Sequence, residues 1–475
     1  MASIEAQNRN GQRIALDTRA VDEFGAQLQG ALLRPGDAAY GEARQVWNGL
    51  IDRYPALIAR CANTADVARA IQFARAHHLP IAVRGGGHNV AGTGTVDGGL
   101  VIDLSPMKAI EVDPVSRTAR AEGGVIWGEL DRATQAFGLA TPGGVVSDTG
   151  IAGLTLGGGF GWLRRKYGLS CDNLIGAEMV TASGTVVRAS ETENPELLWA
   201  LRGGGGNFGV VTSFEYRLFP VGPEVMVAFV LYPGELAVPA LRFFRETMAS
   251  APDELSSFAI LQRVPAAEPF PETWHHKQTV IFMSVYSGSV DKGERVVQPL
   301  RQFATPIADL SGPMLYVEAQ RLFDEDYPRG ARYYWKSTYL DSLNDEVIER
   351  LVAQAEAAPS DHSTLDVWHM GGAVARLGEG ASFRGRGAPY HLGIEANWTD
   401  PAGDDANVAW ARSVHADLRR FSGSGQYFNF PGFHEEGDSA LRQSFGDAYD
   451  RLAAVKARYD PDNIFRLNAN IKPAV

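Results

Sequence analysis

Pro80-Ile81-Ala82-Val83-Arg84-Gly85-Gly86-Gly87-His88-Asn89 decides how this chain folds. Residues 81–83 have the composition of a buried strand, and they run directly into three glycines, whose backbone N–H groups stand clear of any side chain. Such a run after a buried strand is a candidate cradle for an anion, above all a pyrophosphate. Upstream, Ala56-Leu57-Ile58-Ala59 reads as another strand. Between the two, Thr64 opens a helix in which Val67, Ile71 and Ala74 recur at four and three residues, with His77 and His78 in its last turn and Pro80 stopping it. Strand, helix, strand and glycine loop make an α/β unit that delivers a ligand site. A Rossmann fold would need a helix straight after the loop, but 90–99 carries further glycines and no helical period. The phosphate-loop pattern Gly-x-x-x-x-Gly-Lys-Ser/Thr and the serine-hydrolase and zinc-protease signatures are also absent.

Working outward, short apolar segments at 100–104, 109–112 and 118–121 precede a helical stretch at 125–137, a mixed α+β texture. A second glycine-rich stretch covers 142–161. Strands at 177–181 and 185–189 are joined by Ala182-Ser183-Gly184, and a third cluster, 203–206, leads into a strand that alternates through Phe214, Tyr216 and Leu218. Three separated glycine clusters imply an extended, phosphate-bearing ligand lying across several loops. Near Pro220-Val221-Gly222-Pro223 the glycine clusters stop, and aromatic strands alternate with helical runs such as 345–358. A boundary is expected there, followed by a middle region over about 222–425 and a tail. The tail reads as a short strand at 427–430, one helix at 440–458 and a closing segment from Asp460.

The chain has 475 residues, 45% hydrophobic and 21% charged, enough apolar surface for a large core. Glycine stands out at 52 residues, about 11% against a usual level of about 7%. A net charge of −12 is the wrong sign for unspecific binding to nucleic acid or anionic membrane, so neither is expected as a partner. Cys61 and Cys171, the only cysteines, form no disulfide framework or zinc spacing, and no metal is expected. With no signal-peptide pattern and no long apolar run, the expected location is cytoplasmic.

The first glycine loop, together with Gly157-Gly158-Gly159-Phe160-Gly161, Tyr167-Gly168-Leu169, Asp172-Asn173 and Asn207-Phe208-Gly209-Val210-Val211-Thr212, resembles the FAD-linked oxidases of the berberine bridge enzyme-like group. That group belongs to the vanillyl-alcohol oxidase and p-cresol methylhydroxylase superfamily. Tyr427-Phe428-Asn429-Phe430 and 459–471 are similar to its C-terminal flavin-contacting segment. The likeness covers 40–222 and 425–473. It implies an α+β fold: a PCMH-type FAD-binding domain over 40–222, completed by 425–475, with an inserted α+β substrate domain over 223–424 whose antiparallel sheet covers the flavin.

The resemblance also implies residue roles. His88 would carry FAD on a covalent bond to the flavin 8α-methyl. The second, cysteine-borne link of many relatives is missing from Val145-Val146-Ser147-Asp148-Thr149-Gly150, where Val146 stands about where the thiol would be. A single link is therefore expected, as in the bacterial hydroxynicotine-oxidase-like branch, with Cys171 unbonded. Arg84, Gly85, Gly86, Gly87, Asn89 and Gly92 would hold the pyrophosphate, and Thr149, Gly153, Gly157, Gly158 and Gly159 would line the flavin and its ribityl chain. Gly209 and Val211 would meet the adenine, and Asn429, Asn468 and Asn470 the isoalloxazine. Tyr427 would be the catalytic base, its phenol favoured as phenolate by Arg386 or Arg376. Trp368, His369, Tyr390, Glu395 and Trp398 sit on segments able to face a substrate, while Arg164-Arg165-Lys166 reads as solvated charge. The implied activity is an oxidase taking a hydride from a small alcohol, amine or activated C–H substrate, with molecular oxygen as acceptor and peroxide as product. The alternatives are a flavin dehydrogenase with another acceptor, and a flavin-binding protein without turnover.

Overall fold

The computed structural model describes residues 3–423, 425–433, 435 and 437–474. Its first sheet has four strands in the order Ala31–Leu33, Leu57–Arg60, Leu100–Asp103, Ile81–Arg84, and the last three are parallel. Parallel pairing needs a crossover, which the helix Thr64–Ala76 supplies. Its N-terminus is capped by the Asn63 side chain, which accepts from Asp66 N, and its buried face carries Val67, Ala70, Ile71 and Ala74. The sheet takes in Ala31–Leu33, so this layer begins upstream of residue 40.

A second, antiparallel sheet follows the order Val186–Ser190, Leu174–Val180, Val210–Arg217, Thr118–Glu122, Ile110–Asp113. The C-terminal helix Ala448–Tyr459 returns to its core, packing Leu452 and Tyr459 with Leu197 and Leu201. The tail is then stitched down by Lys456, which is fully buried and bonds Asp460 at 2.6 Å, Asn207 O at 2.7 Å and Phe465 O at 2.8 Å. Where the sequence suggests one helix over 440–458, two form, Gly437–Phe445 and Ala448–Tyr459, because Gly446 turns the chain at φ +51. The stretch 427–430 is a turn instead of a strand, closed by Phe430 N donating to Tyr427 O at 3.0 Å.

The third sheet has eight antiparallel strands. Its main order is Ala308–Asp309, Glu224–Pro233, Gln278–Tyr286, Leu255–Arg263, Thr364–His369, Tyr390–Trp398, Arg332–Leu340, with Gly312–Leu315 also paired to Glu224–Pro233. Register sorts its side chains by face. Phe258, Trp368, His391 and Tyr339 lie opposite one another across four strands, as do Ile260, Asp366, Gly393 and Ser337, and as do Thr364, Glu395 and Trp335. All of these share the face turned to the glycine loops. The other face, with Val367, Tyr390, Leu392 and Trp398, is sealed by the helices Ala237–Met248, Asp345–Glu356 and Asp404–Leu418.

Arg164-Arg165-Lys166 is not solvated. Arg164 is fully buried and donates to Gly161 O at 2.9 Å, Ser257 O at 2.5 Å and His369 O at 2.9 Å. Arg165 reaches Met370 O and Leu255 O, both at 3.0 Å, and Lys166 reaches Ser287 O at 2.9 Å. Guanidinium groups offer five donors in a fixed fork, so these two satisfy carbonyls at strand ends of the large sheet and fasten it to the glycine-rich half. Among the described residues no helix is long and apolar enough to cross a membrane.

Candidate active site

All three glycine clusters meet in one cavity of about 270 Å³, and the large sheet forms its opposite wall. The first two clusters touch backbone to backbone: a Cβ on Gly86 would lie 2.4 Å from Gly150 N, and one on Gly150 would lie 2.4 Å from Gly86 N. Neither position has room for any side chain. A Cβ on Gly157 would collide with Asn429 Oδ1 at 2.1 Å, whereas Gly153 faces open space. The third cluster reaches the lining together with Gly209 and Val211 just after it, and Asn468 joins them while donating to Gly206 O at 3.1 Å.

His88 lies at the junction of the first two clusters. Its ring stacks on Trp47 (centroids 4.8 Å apart, planes at 19°), which in turn stacks on Tyr333 at 3.7 Å. Nε2 is 2.7 Å from Asp148 Oδ1, and Nδ1 is 3.5 Å from Thr149 Oγ1. Burial lowers the imidazole pKa against the pull of Asp148, so the ring is neutral at pH 7 and keeps a nucleophilic lone pair.

Tyr427 is buried where the tail meets the second glycine cluster. Its oxygen accepts from Asn429 Nδ2 at 2.7 Å and from Gly159 N at 3.1 Å. Burial pushes the phenol well up despite these two donors. With both lone pairs engaged, the phenol has its own proton left to donate. Neither of the two expected cations is free to assist it: Arg386 is paired with Asp172 at 2.6 Å and Arg376 with Asp253 at 2.6 Å. The resting phenolate base expected from sequence is therefore not what the geometry favours.

The sheet wall carries two acids. Glu395 accepts from Tyr327 Oη at 2.7 Å, and Asp366, on the neighbouring strand, has a buried Oδ1 without a partner. Burial raises both carboxyls, and each raises the other or is raised by a further acid: Asp366 acts on Glu395, and Asp326 on Asp366.

Comparison with known proteins agrees with this geometry. Residues 55–190 match the family model of an FAD binding domain, and 426–472 match that of berberine and berberine-like proteins. An FAD-linked oxidoreductase of Dictyostelium discoideum is 33% identical over 96% of this chain and 97% of its own length. The chain belongs to the berberine bridge enzyme-like FAD-linked oxidoreductases. The (R)-6-hydroxynicotine oxidase of Paenarthrobacter nicotinovorans is 32% identical over 94% of this chain and 97% of its own. The crystal structure of 6-hydroxy-D-nicotine oxidase from Arthrobacter nicotinovorans superposes with a TM-score of 0.85 at 31% identity, covering 94% of this chain and 99% of that one. A chitooligosaccharide oxidase shares the fold, at a TM-score of 0.82 and 24% identity over 96% of this chain and 100% of that one.

For this berberine bridge enzyme-like chain the residues present fit FAD. Side-chain-free loops line a cleft long enough to touch three clusters, and a buried polar atom beside it, Asn470 Oδ1, makes no hydrogen bond within the protein. Arg84, Gly85, Gly86, Gly87, His88, Asn89, Thr149, Gly153, Gly157, Gly209, Val211, Asn429, Asn468 and Tyr427 all reach the cavity, as do Trp368 and Glu395.

Seven expected residues do not line it. Gly92 packs on Ile51, and its carbonyl accepts from Arg53 Nη1 at 2.8 Å. Gly158 is closed off by Phe383, and Gly159 spends its N–H on Tyr427. Asn470 lies behind Asn468 and Ala469. His369, Tyr390 and Trp398 alternate with the cavity-facing residues of their strands and so face the helices, with Trp398 Nε1 donating to Asp404 at 2.7 Å. The Arg84 guanidinium is already committed, holding Asp103 at 2.7 Å. Asp148, Tyr327, Trp335 and Asp366 were missed by the sequence reading, although the two-residue period of 364–369, once anchored on Trp368, points Asp366 the same way.

Proposed function

We propose that this protein is an oxidase that carries FAD on a single covalent bond from His88, takes a hydride from a small substrate bearing an alcohol, amine or activated C–H group, and returns the electrons to oxygen as peroxide. The two-walled cavity carries this reading: backbone loops suited to a dinucleotide on one side, acids and a phenol on the other. The bound flavin would supply the two-electron acceptor. The chain's own residues do the rest. Asp148 holds the Nε2 side of His88, which leaves Nδ1 as the bonding atom, and Trp47 fixes the ring plane. A single link is supported by Val146, an aliphatic residue on the lining, and by Cys171, whose burial within the neighbouring core keeps its thiol far above the thiolate range.

Gly85, Gly86, Gly87, Asn89, Thr149, Gly153 and Gly157 would bind the cofactor's phosphates and ribityl chain, with Gly209, Val211, Asn429 and Asn468 at its ends. Tyr427 would donate a hydrogen bond to the substrate, and the Asp366–Glu395 side would take the proton released as the hydride leaves. Anaerobic mixing with alcohols and amines tests this: bleaching of the flavin, followed on admitting air by recolouring with stoichiometric peroxide, is the expected result. Bleaching with no oxygen uptake would make it a dehydrogenase, and no bleaching by any compound would remove the enzymatic reading.

A further inference from the structure

The cavity has a lopsided charge. Among its described lining residues the only basic side chain is Arg84, already neutralised by Asp103, while His88 is neutral. Among the same described residues Asp366 and Glu395 are the only acids. They sit on adjacent strands, and between them Gly393 has no side chain: a Cβ there would lie 3.2 Å from Glu395 Oε1 and 3.4 Å from Asp366 Cβ. Tyr327 occupies one oxygen of Glu395, and Asp366 Oδ1 has no partner although the residue is 3% exposed. Around this pair stand the rings of Phe258, Phe323, Tyr327, Trp335 and Trp368.

We propose that Asp366 and Glu395 select a substrate that presents a primary or secondary ammonium group on an apolar body. This rests on the oxidase reading above and names its substrate class. An anion would meet two acids and no free cation. A neutral ether or ketone brings no donor and would leave the ionised Asp366 Oδ1 buried and unsatisfied, a desolvation cost without return. An ammonium group with two N–H bonds gives one hydrogen to each acid, and the ring faces attract the same charge. A tertiary ammonium has a single N–H and satisfies one acid only. Once bound, the ammonium gives one proton to a carboxylate: the N–H bond breaks, an O–H bond forms, and the electron pair stays on nitrogen. The resulting neutral amine is the form from which a hydride can leave the neighbouring carbon.

The test uses flavin-loaded enzyme and four probes of one shape: 4-phenylpiperidine, its N-methyl derivative, 4-phenyltetrahydropyran and 4-phenylcyclohexanecarboxylate. Binding is read from the shift in flavin absorbance. The secondary amine should bind roughly tenfold or more tightly than the ether, about the worth of one charge-assisted hydrogen bond, with the tertiary amine between them and the carboxylate weakest. In Asp366→Asn the gap between amine and ether should shrink to about threefold or less while ether affinity holds, which shows an intact cavity. Equal or tighter binding of the ether or carboxylate, an amine preference that survives Asp366→Asn, or no amine binding at millimolar concentration would each overturn the proposal. Flavin bleached by alcohols alone would defeat this inference and leave the oxidase reading standing, whereas protein purified without flavin would defeat the oxidase reading itself.

Discussion

The two walls of the cavity are built on different principles. The glycine wall is made of backbone: Gly86 and Gly150 approach so closely that the absence of a side chain is itself the structural requirement. The sheet wall is made of side chains, with Trp335, Asp366, Trp368 and Glu395 on one face and their sequence neighbours on the other. A backbone wall tolerates almost no substitution but holds any ligand with the right phosphates. A side-chain wall tolerates many substitutions, and each one changes which molecule fits.

The largest effect should come from the backbone wall. Gly150→Val drives a branched side chain into Gly86 N, and a destabilisation of roughly 4 kcal/mol or more is expected, with flavin lost from the purified protein. Thermal unfolding and flavin content report both. Gly153→Ala, which meets nothing within 4 Å, should leave unfolding unchanged. If the two variants behaved alike, close backbone approach would not be what defines this wall.

On the sheet wall, Glu395→Gln should slow anaerobic flavin reduction roughly 10²-fold with unfolding little changed, the usual worth of a positioned proton acceptor. Tyr427→Phe should cost less, about tenfold, because it removes one hydrogen bond to the substrate and leaves the proton acceptor in place. The reverse ranking would return the base to Tyr427.

The smallest effect lies at the seam. Asp131, buried on the helix Trp127–Gln135, accepts from Gln320 Nε2 at 3.0 Å, and burial pushes its carboxyl up to about 7. In the unfolded chain it ionises near 3.8, so between about pH 4 and 7 the folded protein holds the extra proton and stability falls as pH rises. Asp131→Asn should therefore raise the melting temperature at pH 8, worth about 1–3 kcal/mol, and leave it unchanged at pH 4.5. A gain at pH 4.5 as large as at pH 8 would contradict the linkage.

These contrasts also explain what could be read in advance. The glycine wall was legible because a glycine run after a buried strand has few other uses, and the parallel strands and crossover helix followed from local periodicity. Exceptions such as Gly92, Gly158 and Gly159 arise because a glycine allows a turn as readily as a ligand: all three have positive φ and serve the backbone. On the sheet wall, strand positions were legible but their face was not. His369 and Trp368 are adjacent, yet only Trp368 reaches the cavity, and no local pattern distinguishes the faces when both are buried. Arg164 was misread for a related reason, since two of its three carbonyl partners lie about 90 and 200 residues away.

The central claim is that His88 joins the two walls by carrying the flavin. It is tested most directly by acid precipitation of the purified protein, followed by peptide mass spectrometry in wild type and in His88→Ala. The account predicts a yellow pellet with an FAD adduct on the His88 peptide alone, and no adduct in the variant. Yellow supernatant over a colourless pellet, or an adduct on the Cys171 peptide, would contradict it.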